Sequence, residues 1–357
     1  MTVVSEVKKS SPRWWQTRVL SWYQTDGRHD LPWQHPKTPY RVWIAEIMLQ
    51  QTQVKTVIPY YQRFLKAFPT LHALANAPLD DILNLWSGLG YYARARNLHR
   101  SAQQIATEHA GRFPLNAEIL QSLPGIGQST AHAILAQSDD QALAILDGNV
   151  KRVLCRFHGI DEWPEQSHIK KQLWLLAEHY MPKQQASDYT QAMMDLGATL
   201  CTRSKPDCIA CPLQKKCVAF QGGAPEHYPG KKPNKKKPIR QRHFVLLTHA
   251  NDLLMYQRPL EGIWGGLWSV PEFESQSDLE RWLSTHCGTH YHITQELKGL
   301  KHEFTHFTLR YTGTYCTLTK KQPHLPPEYH WLSQTQTFKK GLAKPIQGLL
   351  ENILIAK

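Results

Sequence analysis

Two carboxylates in this chain stand where a carboxylate could do chemistry. Glu46 is the one charged side chain in the apolar run Trp43-Ile44-Ala45-Glu46-Ile47-Met48-Leu49. A carboxyl among apolar neighbours holds its proton more tightly and can serve as an acid near neutral pH; a surface glutamate beside the apolar stripe is the plainer alternative. Gln50, Gln51 and Thr52 follow it, with amide and hydroxyl groups suited to the edges of nucleic-acid bases. Asp147 lies in Ile145-Leu146-Asp147-Gly148-Asn149-Val150, where a helix should begin. It reads as an N-cap that accepts a backbone N–H and stays ionised beside the helix dipole.

A second kind of chemistry is carried by Cys201, Cys208, Cys211 and Cys217, spaced C-x6-C-x2-C-x5-C. Residues 1–10 are polar, with Lys8 and Lys9, and do not read as a signal peptide. That predicts a reducing, cytoplasmic setting, in which metal ligation explains the thiols better than disulfides do. Zinc sites usually come as two short knuckles. This run has one short pair flanked by longer spacings, a pattern that suits an iron–sulfur cluster on an irregular loop. Cys155, Cys287 and Cys316 lie apart and read as small core or surface residues.

Leu123-Pro124-Gly125-Ile126-Gly127-Gln128-Ser129-Thr130 sits between two helical patterns. Gly125 and Gly127 let the backbone turn tightly and come close to another molecule. The helix that follows opens with unpaired N–H groups, a ready phosphate site. A plain structural turn would look similar, but proline ahead and Ser-Thr behind resemble the hairpin of helix-hairpin-helix DNA-binding proteins. The overall charge of +13 fits a polyanion partner, and it is concentrated: residues 227–242 hold seven Lys/Arg, three prolines and no acid. That stretch reads as an extended, solvated linker.

The elements on either side of this linker differ in period. Upstream, apolar residues recur at three and four, and residues 12–220 read as an all-α domain. Downstream, Phe244–Thr248 and Leu253–Gln257 flank Ala250-Asn251-Asp252 as a hairpin, and Phe304–Thr319 has strand composition. Ser277–His286 and Pro345–Ala356 look helical, so this half is α+β. The expected organisation is a helical domain over 1–226, the linker, and a second domain over 243–357. No apolar run approaches a membrane span.

Together the motifs resemble the MutY-type adenine DNA glycosylases of the helix-hairpin-helix superfamily. The resemblance rests on Leu31-Pro32-Trp33, Glu46 to Val54, Gly88 to Asn97, the hairpin, Asp147-Gly148-Asn149-Val150, and Gln191 to Ala198. Beyond the linker it continues in Gly262 to Trp268 and Phe304-Thr305-His306. It implies an all-α helix-hairpin-helix domain with a [4Fe–4S] cluster on the four cysteines, and a Nudix-like α+β domain that reads 8-oxoguanine opposite the target adenine. The partner it implies is double-stranded DNA containing mispaired adenine, met by a monomer in the cytoplasm at the nucleoid. Glu46 would protonate the leaving adenine, and Asp147 would stabilise or trap the oxocarbenium-like sugar. Asn149 would hold the sugar or Asp147. Gln51 and Tyr91 would wedge into the duplex so that the base can leave the stack. Phe304, Thr305 and His306 would read the opposite base.

Two departures carry consequences. Relatives of the second fold that hydrolyse diphosphates carry a Glu-rich helix, which Ser277–His286 lacks, so that activity is not expected. Bacterial family members often have serine where this chain has Thr305, and the added methyl would alter the fit to the damaged base. Ser129 stands where strand-cutting relatives have lysine; a serine forms no Schiff base, which implies an abasic product left uncut.

Overall fold

The computed structural model of the chain describes residues 10–233, 237–320 and 325–355. Asn234, Lys235 and Lys236 of the expected linker, the first nine residues and Ala356 lie outside them. Packing divides the chain into two compact units. One holds the chain up to Ala75 with Arg100–Pro233; the other holds Asn76–His99 with the chain from Asn234 onward.

The first unit is helical, with no strand among its described residues. Two of its helices show capping chemistry at their starts. Ser11 accepts from the N–H of Trp14 and Thr38 from that of Arg41, each with proline at the first helical turn. Trp15 stacks on Tyr180 with ring centroids 4.2 Å apart and donates Nε1–H to Tyr189 Oη at 2.9 Å. Around them Val19, Val153, Phe157, Leu173 and Leu196 close a core against which Cys201, Cys211 and Cys217 pack. Helix Pro39–Leu49 is the strongly apolar helix that its sequence predicts. Tyr40, Val42 to Ala45, Ile47 and Met48 are all buried, so it runs through the interior.

In the second unit a seven-stranded mixed sheet is formed by β1 (Ile239–His249), β2 (Asp252–Gln257), β3 (Trp268–Ser269), β4 (Glu272–Phe273), β5 (Tyr291–Glu303), β6 (Thr308–Leu318) and β7 (Tyr329–Ser333). The main path runs β3-β2-β1-β6-β5, with β1 and β6 parallel from Ile239↔Thr308 to Thr248↔Thr317. Side chains alternate between faces. Val245 and Leu247 pack with Leu279 and Leu283 of helix Gln276–Cys287. Tyr315 donates its hydroxyl to the Leu349 carbonyl of helix Lys344–Ile355 at 2.5 Å.

The expected β1–β2 hairpin and both expected helices are present. The strand expected from Phe304 begins only at Thr308; residues 304–307 form a loop, closed by Phe304 N–H to the Phe307 carbonyl at 3.0 Å. β1 starts at Ile239, inside the basic stretch. β5 and β7 escape the sequence pattern because their faces are largely exposed or half-buried and carry little apolar alternation. Asn76–His99, helical in sequence, packs with the sheet unit. No described helix is long and apolar enough to cross a membrane.

Candidate active site

In the helical unit a cavity of about 410 Å³ is walled by Glu46, Gln50, Gln51, Ser129, Asp147 and Asn149 among others. Glu46 reaches it from the buried helix Pro39–Leu49, and its Oε1 accepts from Gln137 Nε2 at 2.7 Å. Burial pushes the Glu46 carboxyl from its ordinary 4.5 up to about 7; the Gln137 hydrogen bond opposes this and the Asp147 charge adds to it. The carbonyl end of the Gln137 amide, Oε1, is buried with no partner. A primary amide can serve either form of a carboxyl, donating to a carboxylate or accepting from an acid.

Asp147 caps helix Gly148–His158, with Oδ1 accepting from Val150 N–H at 2.8 Å. Its Oδ2 accepts from Asn149 Nδ2 at 2.9 Å. Asn149 Oδ1 in turn accepts from Arg152, whose guanidinium also donates to the carbonyls of Gly197 and Cys201, at 2.6 Å each. The cap expected from sequence is present. Burial raises the Asp147 pKa, and the hydrogen bonds from Val150 and Asn149 and the Arg152 charge only partly offset that. Gly197 lies in a π-helical turn, Leu196–Leu200; a Cβ there would stand 2.5 Å from Asn149 Cβ. Glycine is what lets this turn pass so close to Asn149.

The four spaced cysteines follow that turn. Cys201 Sγ accepts from the buried Arg156 guanidinium at 3.3 Å. Burial, together with the nearby Cys201, Cys217 and Cys208, pushes the Cys211 thiol up to about 12 against a backbone hydrogen bond from Leu213. Among the described residues no three His, Cys, Asp or Glu side chains converge tightly enough to hold a single metal ion.

The hairpin brings Gly125, at φ +80°, and Gly127 to the start of helix Gln128–Asp139. A Cβ on Gly127 would meet nothing within 4 Å, so the glycine leaves an open approach and no protein atom requires it. Ser129 Oγ accepts from Leu146 N–H at 3.0 Å, tying the hairpin helix to the approach to Asp147. Gln50 donates to Thr130 Oγ1 at 3.4 Å. Exposed Gln51 is held at φ +58°, a left-handed conformation that costs a non-glycine residue about 1 kcal/mol or more and clusters at functional sites.

In the sheet unit, Phe304 stacks on Phe307 at 4.2 Å and lies 5.4 Å from the Trp264 ring, leaving Thr305 and His306 exposed. Lys237 Nζ donates to the Phe304 carbonyl at 2.9 Å. Tyr91, exposed and also left-handed at φ +49°, places its hydroxyl 3.2 Å from Thr305 Oγ1.

Residues 44–179 match the family described as HhH-GPD superfamily base excision DNA repair protein, and residues 242–352 match the NUDIX domain. The adenine DNA glycosylase of Buchnera aphidicola subsp. Acyrthosiphon pisum (strain APS) is 39% identical over 94% of this chain and 96% of its own. The chain belongs to the adenine DNA glycosylases. The Homo sapiens adenine DNA glycosylase is 33% identical over 89% of this chain and 70% of its own. A solved thermostable thymine-DNA glycosylase superposes on 59% of this chain and 97% of its own, with a TM-score of 0.54 and 28% identity. This adenine DNA glycosylase is therefore an enzyme of base excision repair, with a helix-hairpin-helix domain and a Nudix-like domain.

The glycosylase gathers Glu46, Gln50, Gln51, Ser129, Asp147 and Asn149 at one cavity, and Tyr91 with Thr305 in the sheet unit. Sequence reading missed Gln137, Arg152 and Arg28. The last also lines the cavity and is bound by fully buried Asp195, with Arg28 Nε to Oδ1 at 2.9 Å and Arg28 N–H to Oδ2 at 2.8 Å. Asp195 had a signal, a carboxylate inside the apolar Met193-Met194-Asp195-Leu196, whereas Gln137 had none.

Proposed function

We propose that this glycosylase removes adenine mispaired with 8-oxoguanine or guanine in double-stranded DNA by hydrolysing the N-glycosidic bond, leaving the strand uncut. The observation that carries the chemistry is the pair of unlike carboxylates on one cavity. Breaking this bond leaves a poor anion on the base and builds positive charge on the sugar, so it calls for a proton donor and a nearby anion. Glu46, whose pKa is pushed up to about 7, is the donor to a ring nitrogen of adenine. Asp147 has more donors around it than Glu46, and Asn149, itself held by Arg152, orients it to face the sugar. Water completes the hydrolysis. Ser129 supplies no amine for a Schiff base, so the abasic product keeps its backbone. Gln51 and Tyr91 wedge the duplex open, and the open side of Gly127 admits a phosphate.

The cysteines fit a [4Fe–4S] cluster, which would stiffen a loop whose Arg203, Lys205, Lys215 and Lys216 offer positive charge to phosphates, rather than do chemistry on the base. Four thiolates around one zinc at ~2.3 Å would crowd to within ~3.8 Å of one another. A cubane binds each thiolate at a different iron, which accords with thiols that neighbour one another without converging. Prepared anaerobically, the protein should be brown with about four irons per chain. Cys208→Ser should lower iron content and weaken DNA binding; a colourless protein with stoichiometric zinc would end the assignment.

Opposite-base reading is assigned to Phe304, Thr305 and His306, on the support of the Tyr91–Thr305 contact. 8-Oxoguanine differs from guanine in its donor and acceptor pattern at N7 and C8, which hydroxyl and imidazole groups can read. The catalytic region is then 1–226 apart from Asn76–His99, which packs with the sheet unit, and the recognition region is under way by β1 at Ile239, in a monomer working in the cytoplasm. Single-turnover excision by Thr305→Ala/His306→Ala tests this. Loss confined to the 8-oxoguanine duplex is expected, and equal losses opposite guanine would sink the reading. The same gels report strand cutting, which should be absent until alkali is added.

A further inference from the structure

Asp80 takes no part in the chemistry above, yet it gathers three donors. It stands in the first turn of helix Leu79–Leu85. Oδ1 accepts from Gln257 Nε2 at 2.7 Å; Oδ2 accepts from Trp268 Nε1 at 3.1 Å and Lys340 Nζ at 2.9 Å. The Lys340 ammonium also lies 4.7 Å from the centre of a Trp268 ring. The donors come from the end of β2, from β3, and from the loop after helix Gln334–Phe338. A helix-start carboxylate is satisfied by the dipole and solvent alone; convergence of three separate segments on one makes it a clamp.

The same stretch is anchored further along. Ser87 Oγ and Tyr92 Oη both donate to the Leu342 carbonyl, at 2.9 and 3.2 Å, and Arg96 donates to the Gly265 carbonyl at 2.6 Å. Between these anchors the chain turns through Gly90 at φ +76° and Tyr91 at φ +49°, where the tyrosine hydroxyl meets Thr305. One exposed bond between two hydroxyls is too weak to hold two backbones in register. The anchors must do it.

We propose that Asp80 is a positioning residue for discrimination of the opposite base. It clamps the segment bearing Tyr91 to the sheet that bears Thr305, so that wedge and reader stay aligned. The role depends on Thr305 reading that base. Without the carboxylate, Trp268 Nε1–H and the Lys340 ammonium lose their acceptor, the stretch rests on its Ser87, Tyr92 and Arg96 anchors, and Tyr91 shifts more readily against Thr305. Glu46 and Asp147 lie on other segments and keep their geometry.

The test uses the full chain, with single-turnover excision from duplexes carrying adenine opposite 8-oxoguanine or guanine. Asp80→Ala should cut the preference for 8-oxoguanine about tenfold, as a displacement of about 1 Å or less can do, over and above whatever a displaced Tyr91 costs both duplexes alike. It should add nothing further to Thr305→Ala, because both act on one contact. Asp80→Lys with Lys340→Asp should restore part of the preference, and thermal unfolding of each variant reports folding separately. Equal losses on both duplexes, or effects of Asp80→Ala and Thr305→Ala that multiply, would overturn the clamp. Selective loss in Thr305→Ala with none in Asp80→Ala overturns the clamp and leaves the base-reading assignment standing. Loss of selectivity in neither overturns both.

Discussion

Glu46→Gln should abolish adenine release while the protein still folds and binds its duplex. The glutamine matches the carboxyl in shape and can still accept from Gln137, but an amide gives up no proton near neutral pH. Removal of a general acid typically costs 10²–10⁴-fold, and a base that leaves as poorly as adenine puts this case at about 10³-fold or more. The pH dependence gives a second check. With the Glu46 pKa about 7, the protonated acid dominates below that value, and base release should fall as pH rises through it. Since the Asp147 charge helps raise Glu46, the apparent values in the profile belong to the pair.

Native stability should fall with rising pH as well. A carboxyl whose folded pKa lies above its ordinary 4.5 binds its proton more tightly in the native state. Native stability therefore declines with pH between the two values, and the cost is complete above about 7. Glutamine carries no such cost. The unfolding temperature of Glu46→Gln should match the parent at pH 4 and exceed it at pH 8. Near-normal single-turnover excision by this variant would remove Glu46 from the acid role.

Asp147→Asn should also eliminate base release, through charge alone. Asparagine caps a helix about as well as aspartate, so the Val150 hydrogen bond survives and helix Gly148–His158 keeps its start. One contact is lost, because the new amide group faces the Asn149 Nδ2 donor, and that should cost about 1 kcal/mol. What disappears is the anion beside the developing sugar cation. Preorganised charge in a site closed to water is usually the largest single contribution to rate, and about 10³-fold or more is expected here. Circular dichroism and duplex binding should resemble the parent. An active variant would mean that capping, and not charge, is what Asp147 supplies.

How far the sequence alone reaches is clearest at these residues. Asp147 as an N-cap was legible because capping is local: a short polar side chain ahead of a helical pattern has one good use. Its raised pKa was not legible, since burial depends on residues distant in the chain. Glu46 was legible as an intruder in an apolar run, but its Gln137 partner lies 91 residues away. The cysteine spacing and the glycine hairpin were legible for the same reason as the cap, each being a motif within one short segment.

Sequence by itself determined the two fold classes, the helix start at Asp147, the cysteine loop and the two carboxylates, because periodicity, capping and close spacing are encoded between near neighbours. Tertiary structure decided which side chains meet. It set Arg152 between Asn149 and the Cys201 carbonyl, closed residues 304–307 into a loop, and built β5 from a polar stretch through its pairing with β6. It also moved Asn76–His99 out of the helical unit and brought Tyr91 to Thr305, 214 residues apart in the chain. Such pairings are fixed by how much surface each segment can bury and which polar groups it must satisfy, and no local pattern records the partner.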